Sequence, residues 1–276
     1  MTRIEEDIAE RLPVVLRTFA TSAVVSPVPT GLPALVAGCA GAQTVIDART
    51  SGIGRSRCHP SNGSLAGTVK IDDEKLPFRP GALDLLVSVL ALHTTNDMPG
   101  ALLQARKALK PDGLFLGVLC AGDTLCELRS SLLQAEAECE GGAGPRVMPF
   151  ADVRELGGLM QRAGFALPVA DTDTVTLTYS SPLHLMRELR SFGATNILRG
   201  RAKNMMRRKT LLRACEIYGE NFGDADGRVR ATVDIVTLTG WAPDASQQQP
   251  LKPGSAASRL ADALGTTEHL IEEPDA

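Results

Sequence analysis

The stretch from Ala82 to Val118 constrains the fold more than any other part of the sequence. ALDLLVSVLALH is a near-continuous apolar run, which is typical of a strand buried on both faces of a parallel sheet. DMPGALLQARKALKPDG follows, with Pro99 placed as at a helix start and an apolar helical face. LFLGVLC is a second buried strand, and such strand–helix–strand crossovers are parallel and right-handed. The pattern predicts an α/β fold with an open, doubly wound sheet.

The remaining segments extend this alternation and suggest three regions. Residues 1–32 are predicted to form an N-terminal helix and a linker, since SPVPTGLP contains residues that stop a helix. Residues 33–243 are predicted to form the sheet domain, with a helical insertion at about 180–222. GDTLCELRSSLLQAEAECEGG predicts a long helix with Asp123 or Thr124 as its cap. Residues 244–276 read as a polar C-terminal tail.

Composition excludes several classes of function. Aromatic residues make up only 4% of the 276 residues and the net charge is −3, which argues against a nucleic-acid partner. No apolar run reaches the roughly 18 residues of a membrane span, and the N-terminus carries acids instead of an apolar leader. The six cysteines form no CxxC pair, so we expect reduced thiols, no metal site and a cytoplasmic location.

The candidate site residues follow the predicted strands, because ligands of such sheets bind at the carboxyl ends of the strands. ALVA is interpreted as a first strand and TVI as a second, with glycines after the first that permit close backbone approach. The acids after the second and third strands suit a ribose and an adenine, so the set suits an adenosyl cofactor. The candidates are Gly38, Cys39, Gly41, Asp47, Asp72, Asp73 and His93.

Each candidate also has a structural alternative. Asp72 and Asp73 are equally explained as a solvated turn, and His93 as a structural histidine. Cys39 fits a small core residue better than a nucleophile, since no His partner is placed by the sequence. RGRAKNMMRRK, residues 199–209, is either a solvated loop or a docking site for an acidic protein or a phosphate-bearing group.

Several motifs together resemble the class I S-adenosylmethionine-dependent methyltransferases over roughly residues 70–243. They are LPF before a buried strand, LHxxND, LKPDG, GDTLxELR, EAECEGG, PFADVRELGGLMQRAGF and the closing GW. The chain is most similar to the branch that contains the biotin-pathway malonyl-carrier-protein methyltransferase and the mitochondrial complex I assembly factor of methyltransferase type.

The resemblance implies a seven-stranded sheet and S-adenosylmethionine as cofactor. It implies that Gly38 and Gly41 form the cofactor turn, that Asp47 is the ribose acid and that Asp72 or Asp73 is the adenine-side acid. Ser88 to His93 would lie along the methionine end of the cofactor. It also implies a protein or carrier-protein substrate, methylated or, as in the assembly-factor relatives, hydroxylated at arginine.

The N-terminal part departs from the family pattern, in which the first strand ends in an acid followed by LDLGCGxG-like glycines. In LVAGCAGA the acid is replaced by Ala37, and Ala40 and Ala42 replace glycines. Gln43 and Thr44 leave no room for a crossover helix, which needs roughly ten residues. A second register makes TVID the first strand and SGIGRS the turn. Either way we expect a sheet with a shortened N-terminal part and a degenerate cofactor turn.

Two functions remain open on the sequence. The first is an S-adenosylmethionine-dependent enzyme acting on a protein or carrier substrate, for which no catalytic base is assigned. The second is a non-catalytic assembly or binding module, or an arginine-hydroxylase-like relative. The fold alone does not choose between these chemistries.

Overall fold

The structure is a computed structural model that describes residues 1–50, 65–202, 204–248 and 260–267. Residues Met1–Pro243 form one compact unit and Asp244–Ala276 a second. The first unit is built on a seven-stranded sheet of order β3-β2-β1-β4-β5-β7-β6. Strands β1 to β5 pair in parallel, and β7 runs antiparallel to both β5 and β6. This confirms the predicted α/β class and the doubly wound sheet.

The strands and helices alternate along the chain as expected for this class. The strands are β1 Thr21–Ser26, β2 Thr44–Thr50, β3 Leu65–Ile71, β4 Leu83–Val89, β5 Leu109–Ala121, β6 Ala166–Tyr179 and β7 Val229–Trp241. The helices are α1 Thr2–Val14, α2 Leu32–Cys39, α3 Met98–Ala108, α4 Cys126–Glu140, α5 Val153–Arg162, α6 Pro182–Ser191, α7 Arg208–Phe222 and, in the second unit, α8 Leu260–Leu264.

Strand β4 is buried on both faces, as its apolar run predicts. Leu86 belongs to a core shared with α3 and α5, whereas Leu85 and Val87 belong to a core shared with α1 and α2. Side chains of a strand alternate between the two faces, so both faces of the central sheet are covered by helices. The carboxyl ends of the strands are thereby left as the open edge of the sheet.

A third apolar core joins α4, α6 and α7 to strand β7. Leu132, Leu185 and Ile217 are buried there, and the Tyr218 hydroxyl donates to the Arg230 carbonyl at 2.7 Å. The helices α6 and α7 lie between β6 and β7 in the chain, in the region predicted as a helical insertion. They add a helical layer beside the sheet.

The N-terminal part of the sheet differs from the prediction. TSAVVS forms the first strand, and ALVA lies within helix α2, not in a strand. Leu32, Val36 and Ala40 recur every four residues and are all buried, which is the spacing of a helical face. The crossover between β1 and β2 therefore contains its helix, and the first strand lies inside the region predicted as a linker.

The alternative prediction, in which TVID is the first strand, is also wrong. TVID lies in β2, next to β1, so it is not the first strand. SGIGRS falls outside the described residues. The cap predicted for α4 is also wrong, because Leu125 takes that position and Asp123 and Thr124 lie in the preceding turn. Helix α4 ends at Gly141, the first glycine of the GG that closes the predicted helical stretch.

No helix within the described part of the chain combines the length and apolar character needed to cross a membrane.

Candidate functional site

The turn after β1 is the position where this fold places its cofactor loop. The neighbours of β1 are β2 and β4, so the chain direction across the sheet reverses beside it, and ligands bind at that crevice. The turn reads Ser26-Pro27-Val28-Pro29-Thr30-Gly31 and leads directly into α2. Its prolines are typical of a linker, so the sequence does not predict a cofactor loop here.

This turn is a poor anion-binding loop. Pro27 and Pro29 have no backbone N–H, so two of the donors that a glycine turn offers to a ligand are missing. The Ser26 hydroxyl donates within the turn, to the Val28 carbonyl at 2.5 Å. Strand β1 also ends without the acid that the family pattern requires.

The N-terminus of α2 already carries a carboxylate from the chain itself. The Gly31 N–H donates to Glu5 Oε1 of helix α1 at 2.9 Å. The next residues, Leu32 and Pro33, are buried, and Pro33 lacks a donor. The partial positive charge of the helix N-terminus is therefore met by Glu5.

The three candidates Gly38, Cys39 and Gly41 lie at the other edge of the sheet. Gly38 and Cys39 lie in the last turn of α2, and Gly41 follows the end of that helix with a φ of +62°. Thr44 pairs with Thr21 at the amino ends of β2 and β1 just beyond. The assignment of these residues to a cofactor turn is a correction: the apolar run before them is a helix, so they follow no strand.

Asp47 lies within β2 and is engaged by a cation. It is 3% exposed, and its Oδ2 accepts from Arg49 Nε at 2.9 Å and from Arg49 Nη2 at 2.6 Å. The Thr68 hydroxyl donates to the same oxygen at 3.3 Å. Arg49 is two residues along the strand and shares the face of Asp47, so the carboxylate is neutralised within the protein.

The acids after β3 are held differently from one another. Asp72 Oδ1 accepts from the Glu74 N–H at 3.0 Å and ends the strand in a tight turn. Asp73 Oδ1 is buried and has no hydrogen-bond partner among the described residues. Burial, together with the neighbouring carboxylates of Asp72 and Glu74, raises the pKa of Asp73 to about 6.

Asp73 and Ser88 line one small cavity between β1, β4 and α3. Apolar side chains such as Val25 and Leu86 make up most of its wall. Its volume is about 20 Å³, which is space for one water molecule and far too little for an adenine ring. The structure thus brings together two of the predicted site residues, in a closed space.

His93 lies in the loop that follows β4, within a 3₁₀ turn from Leu92 to Thr94. Burial lowers its pKa to about 4, so the imidazole is neutral at pH 7. Its ring lies 6.2 Å from that of Phe150, and its Nδ1 is buried, with no hydrogen-bond partner in the part of the chain that the structure describes. It therefore carries no positive charge toward a ligand.

The loops after β3 and β4 are joined to each other. Glu74 Oε1 accepts from the Asn96 N–H at 2.6 Å and from its amide at 2.8 Å. Gln104 of α3 donates to the Glu74 carbonyl at 2.8 Å and accepts from the Leu76 N–H at 3.1 Å. These bonds hold the two loops against each other across the edge where a cofactor would enter.

The GDTLCELR segment is bound inward, against β7. Asp234 Oδ2 accepts from the Asp123 N–H at 2.8 Å, and the Thr124 hydroxyl accepts from the Asp234 N–H at 3.0 Å. Glu127 is 2% exposed and accepts from the Thr232 N–H and hydroxyl at 3.1 and 2.5 Å. We call these contacts of Asp123, Thr124 and Glu127 with Thr232 and Asp234 the β5–α4 clamp. They tie the start of α4 to β7, so their role is structural.

A larger cavity lies at the opposite edge, by the amino ends of the strands. Its volume is about 650 Å³ and its wall includes Asp84 and Lys110. Their side chains pair at 2.9 Å, and Arg17 pairs with Asp112 nearby. With these charges satisfied, the cavity gives no indication of a ligand. Within the described residues no group of three or more His, Cys, Asp or Glu side chains is arranged to hold a metal ion.

The fold defines the class: the chain is a methyltransferase-fold protein. The strand order with an antiparallel β7 matches the expected seven-stranded sheet. Residues 30–117 match the methyltransferase domain family model. YcgJ from Bacillus subtilis has the same fold, with a TM-score of 0.57 and 11% identity, over 88% of this chain and all of that one. A Bacillus halodurans protein follows with a TM-score of 0.53, 13% identity and coverage of 86% and 98%.

The curated relatives place the resemblance within one branch. The chain is 44% identical to the arginine-hydroxylase NDUFAF5, mitochondrial, of Danio rerio, over 71% of this chain and 61% of the relative. The human protein of that name is 42% identical, over 74% and 59%. The malonyl-[acyl-carrier protein] O-methyltransferase of Laribacter hongkongensis is 36% identical, over 66% and 59%. The chain thus spans about three fifths of these relatives, and the predicted resemblance is confirmed.

The described residues do not fit S-adenosylmethionine in the manner that the family pattern requires. The turn after β1 contains two prolines, Glu5 occupies the start of α2, and Asp47 is paired with Arg49. The cavity beside Asp73 is too small for the adenine.

Proposed function

We propose that this chain is a non-catalytic methyltransferase-fold module that binds a protein partner and does not use S-adenosylmethionine in the family's manner. The observation that carries the proposal is the turn after β1, where Pro27 and Pro29 stand where backbone donors are needed. A loop that has lost two backbone donors and the preceding acid binds the amino-acid part of S-adenosylmethionine, with its carboxylate and ammonium groups, weakly. The central sheet and its helices are nevertheless complete.

The ion pair of Asp47 and Arg49 supports the same conclusion. A ribose would have to compete with Arg49 for a carboxylate that is 3% exposed. Breaking a buried pair by removing one partner costs several kcal/mol, so the exchange is unfavourable. The Asp47–Arg49 ion pair therefore takes the place of the contact that Asp47 would make to a ribose.

The partner is proposed from the relatives. Two of those compared are named for hydroxylation of arginine, an amino acid of proteins, and one for O-methylation of a malonyl group on an acyl-carrier protein. We therefore propose a protein partner for this chain, with assembly of respiratory complex I as the process that the resemblance suggests. A cytoplasmic location and the absence of a nucleic-acid partner remain part of this proposal.

One observation favours a second candidate, an enzyme that binds S-adenosylmethionine. Asp73 Oδ1 and His93 Nδ1 are buried polar atoms near the carboxyl ends of the strands, and neither has a hydrogen-bond partner within the described residues. Unsatisfied polar atoms are costly and are common at ligand sites. In this case the chain would act on a protein or carrier substrate, by methylation or by arginine hydroxylation.

Calorimetric titration with S-adenosylmethionine and S-adenosylhomocysteine distinguishes the two candidates. The proposal predicts no saturable heat at millimolar ligand. Micromolar binding would support the enzyme, and Asp47→Ala should then weaken it by about 1–3 kcal/mol if that carboxylate holds the ribose. Arg49→Ala is the matched variant: under the enzyme hypothesis it exposes the carboxylate and should strengthen binding.

A further inference from the structure

The connection between helices α6 and α7, together with the first two residues of α7, carries an exposed basic surface in its described part. We call residues 192–209 the basic connection; it contains six basic residues and no acidic residue. The cationic side chains that the structure describes there are all exposed: Arg199, Arg201, Arg207, Arg208 and Lys209. The whole chain has a net charge of −3, so this concentration of one sign is local.

Apolar side chains are exposed among these cations. Met205 is 96% exposed, Phe192 65% and Ile197 57%. Scattered exposed apolar residues are ordinary, but three large ones within one short segment mark an interaction surface. The segment thus offers both charge and apolar area to a partner.

The basic connection is anchored to the rest of the protein at several points. Met206 packs into the core of α4, α6 and α7. The Asn196 amide donates to the Pro145 carbonyl at 2.7 Å, and Arg207 Nε lies 3.4 Å from Glu140 Oε2. An anchored surface loses less conformational entropy on binding than a free loop does.

The surface lies beside the candidate site. Hydrogen bonds from Asn96 lower the pKa of Glu74, and the Arg199 guanidinium lowers it further. Glu74 belongs to the turn after β3, so Arg199 lies near the loops that close the carboxyl edge of the sheet. A partner held by the basic connection would therefore cover the same edge.

We propose that the basic connection is the docking surface for an acidic protein segment that carries apolar side chains. This rests on the proposed function and names the surface and the chemistry of its partner. Carboxylates of the partner pair with the exposed cations, while its apolar side chains cover Phe192, Ile197 and Met205. A membrane surface is disfavoured, since the described residues between Ser191 and Arg208 form no helix that could present an amphipathic face.

The test uses the full chain and a fluorescein-labelled peptide, DLEFDLEFD, followed by fluorescence anisotropy. Arg199→Glu combined with Arg201→Glu should weaken binding about tenfold or more, since charges of opposite sign become like charges. Met205→Ser should weaken it about tenfold by removing apolar area. Raising NaCl from about 0.05 to about 0.5 M should also weaken it, because salt screens exposed charges.

Matched controls separate docking from general effects. Arg154→Glu reverses an exposed charge on α5, and Leu16→Ser removes a side chain that is 97% exposed elsewhere. Both should leave peptide affinity within about twofold, as expected for residues outside an interface. A peptide with Lys in place of every acid, and one with Ser in place of every apolar residue, should not bind.

Several results would overturn the proposal. They are unchanged affinity in the charge-reversal and Met205→Ser variants, equal binding of the Lys peptide, or tighter binding of a single-stranded DNA or of phosphatidylserine vesicles through the same residues. Peptide affinity does not depend on S-adenosylmethionine. If the cofactor binds, the non-catalytic function is refuted but the docking proposal is not. If the wild-type chain does not bind the peptide, the docking proposal is refuted but the non-catalytic function is not.

Discussion

Replacing Asp234 by Ala tests the β5–α4 clamp, and we expect it to lower the free energy of unfolding by about 3–5 kcal/mol. The carboxylate is 9% exposed and accepts from the Asp123 N–H at 2.8 Å and from the Thr174 hydroxyl at 2.7 Å. Hydrogen bonds to charged groups each contribute about 1.5–3 kcal/mol, and both donors would lose this acceptor.

Gly122→Ala tests the same clamp from the other side. Gly122 has a φ of +55°, and a Cβ there would lie 2.6 Å from Asp234 Oδ2. The left-handed backbone costs a non-glycine residue about 1–2 kcal/mol, and the clash should add about 1–2 kcal/mol. In the double variant the clashing oxygen is gone, so the two costs should not add. We expect a coupling of about 1–2 kcal/mol.

Urea unfolding followed by fluorescence measures these differences, because the chain has one tryptophan, Trp241, at the end of β7. Gly141→Ala is the matched control: its φ is +72°, but a Cβ there meets nothing within 4 Å. It should show the backbone cost alone. Additive costs in the double variant, or an Asp234→Ala variant as stable as the wild type, would refute the reasoning.

Three further predictions concern single residues. Since the pKa of Asp73 is raised from 3.8 to about 6, its contribution to stability is complete below about pH 4 and is lost as the pH rises through 6. Asp73→Asn should therefore be more stable than the wild type above pH 6, by no more than about 1 kcal/mol because the side chain is partly exposed to solvent, and equally stable near pH 4 in urea titrations. Gly158→Ala should raise the free energy of unfolding by about 0.5–1 kcal/mol, since it lies inside α5 with nothing within 4 Å of its Cβ. Cys39 is exposed and should react with a thiol reagent at once, whereas burial raises the pKa of Cys120 to about 11, so Cys120 should react much more slowly until the protein unfolds.

The centre of the fold follows from the sequence because its signals are local and agree with each other. Strand β4 is one apolar run, and Asp97 caps α3 by accepting from the Gly100 N–H at 2.9 Å. Helix α5 begins at the capping box of Asp152 and Glu155, and both residues belong to the sequence stretch PFADVREL. In each case hydrophobic period and capping residue point to the same element.

The N-terminal part was not predictable in the same way because its signals conflict. The glycines near Gly38 resemble a cofactor turn, whereas Pro27 and Pro29 hide the true turn. The spacing of Leu32 and Val36 marks a helix, and the minimum length of a parallel crossover already excluded ALVA and TVI as neighbouring strands. These two signals together would have found β1.

The sequence predicts where the candidate site lies, but not that its groups are already paired within the protein. The sequence places acids after the strands, and Asp73 does line a cavity there with Ser88. The sequence does not show that Arg49 pairs with Asp47, nor that Glu5 from α1 reaches Gly31. Both contacts depend on how side chains are directed after the chain has folded, and both bear on cofactor binding.

Thermal unfolding in the presence of S-adenosylmethionine tests the central claim most directly, namely that this fold no longer binds its family's cofactor. A ligand present at 100 times its Kd stabilises a protein by about 2.7 kcal/mol, which raises Tm by about 5–11 °C for a domain of this size. We predict a shift below about 1 °C with millimolar S-adenosylmethionine or S-adenosylhomocysteine. A saturable shift of several degrees, reduced in Asp47→Ala, would contradict the account.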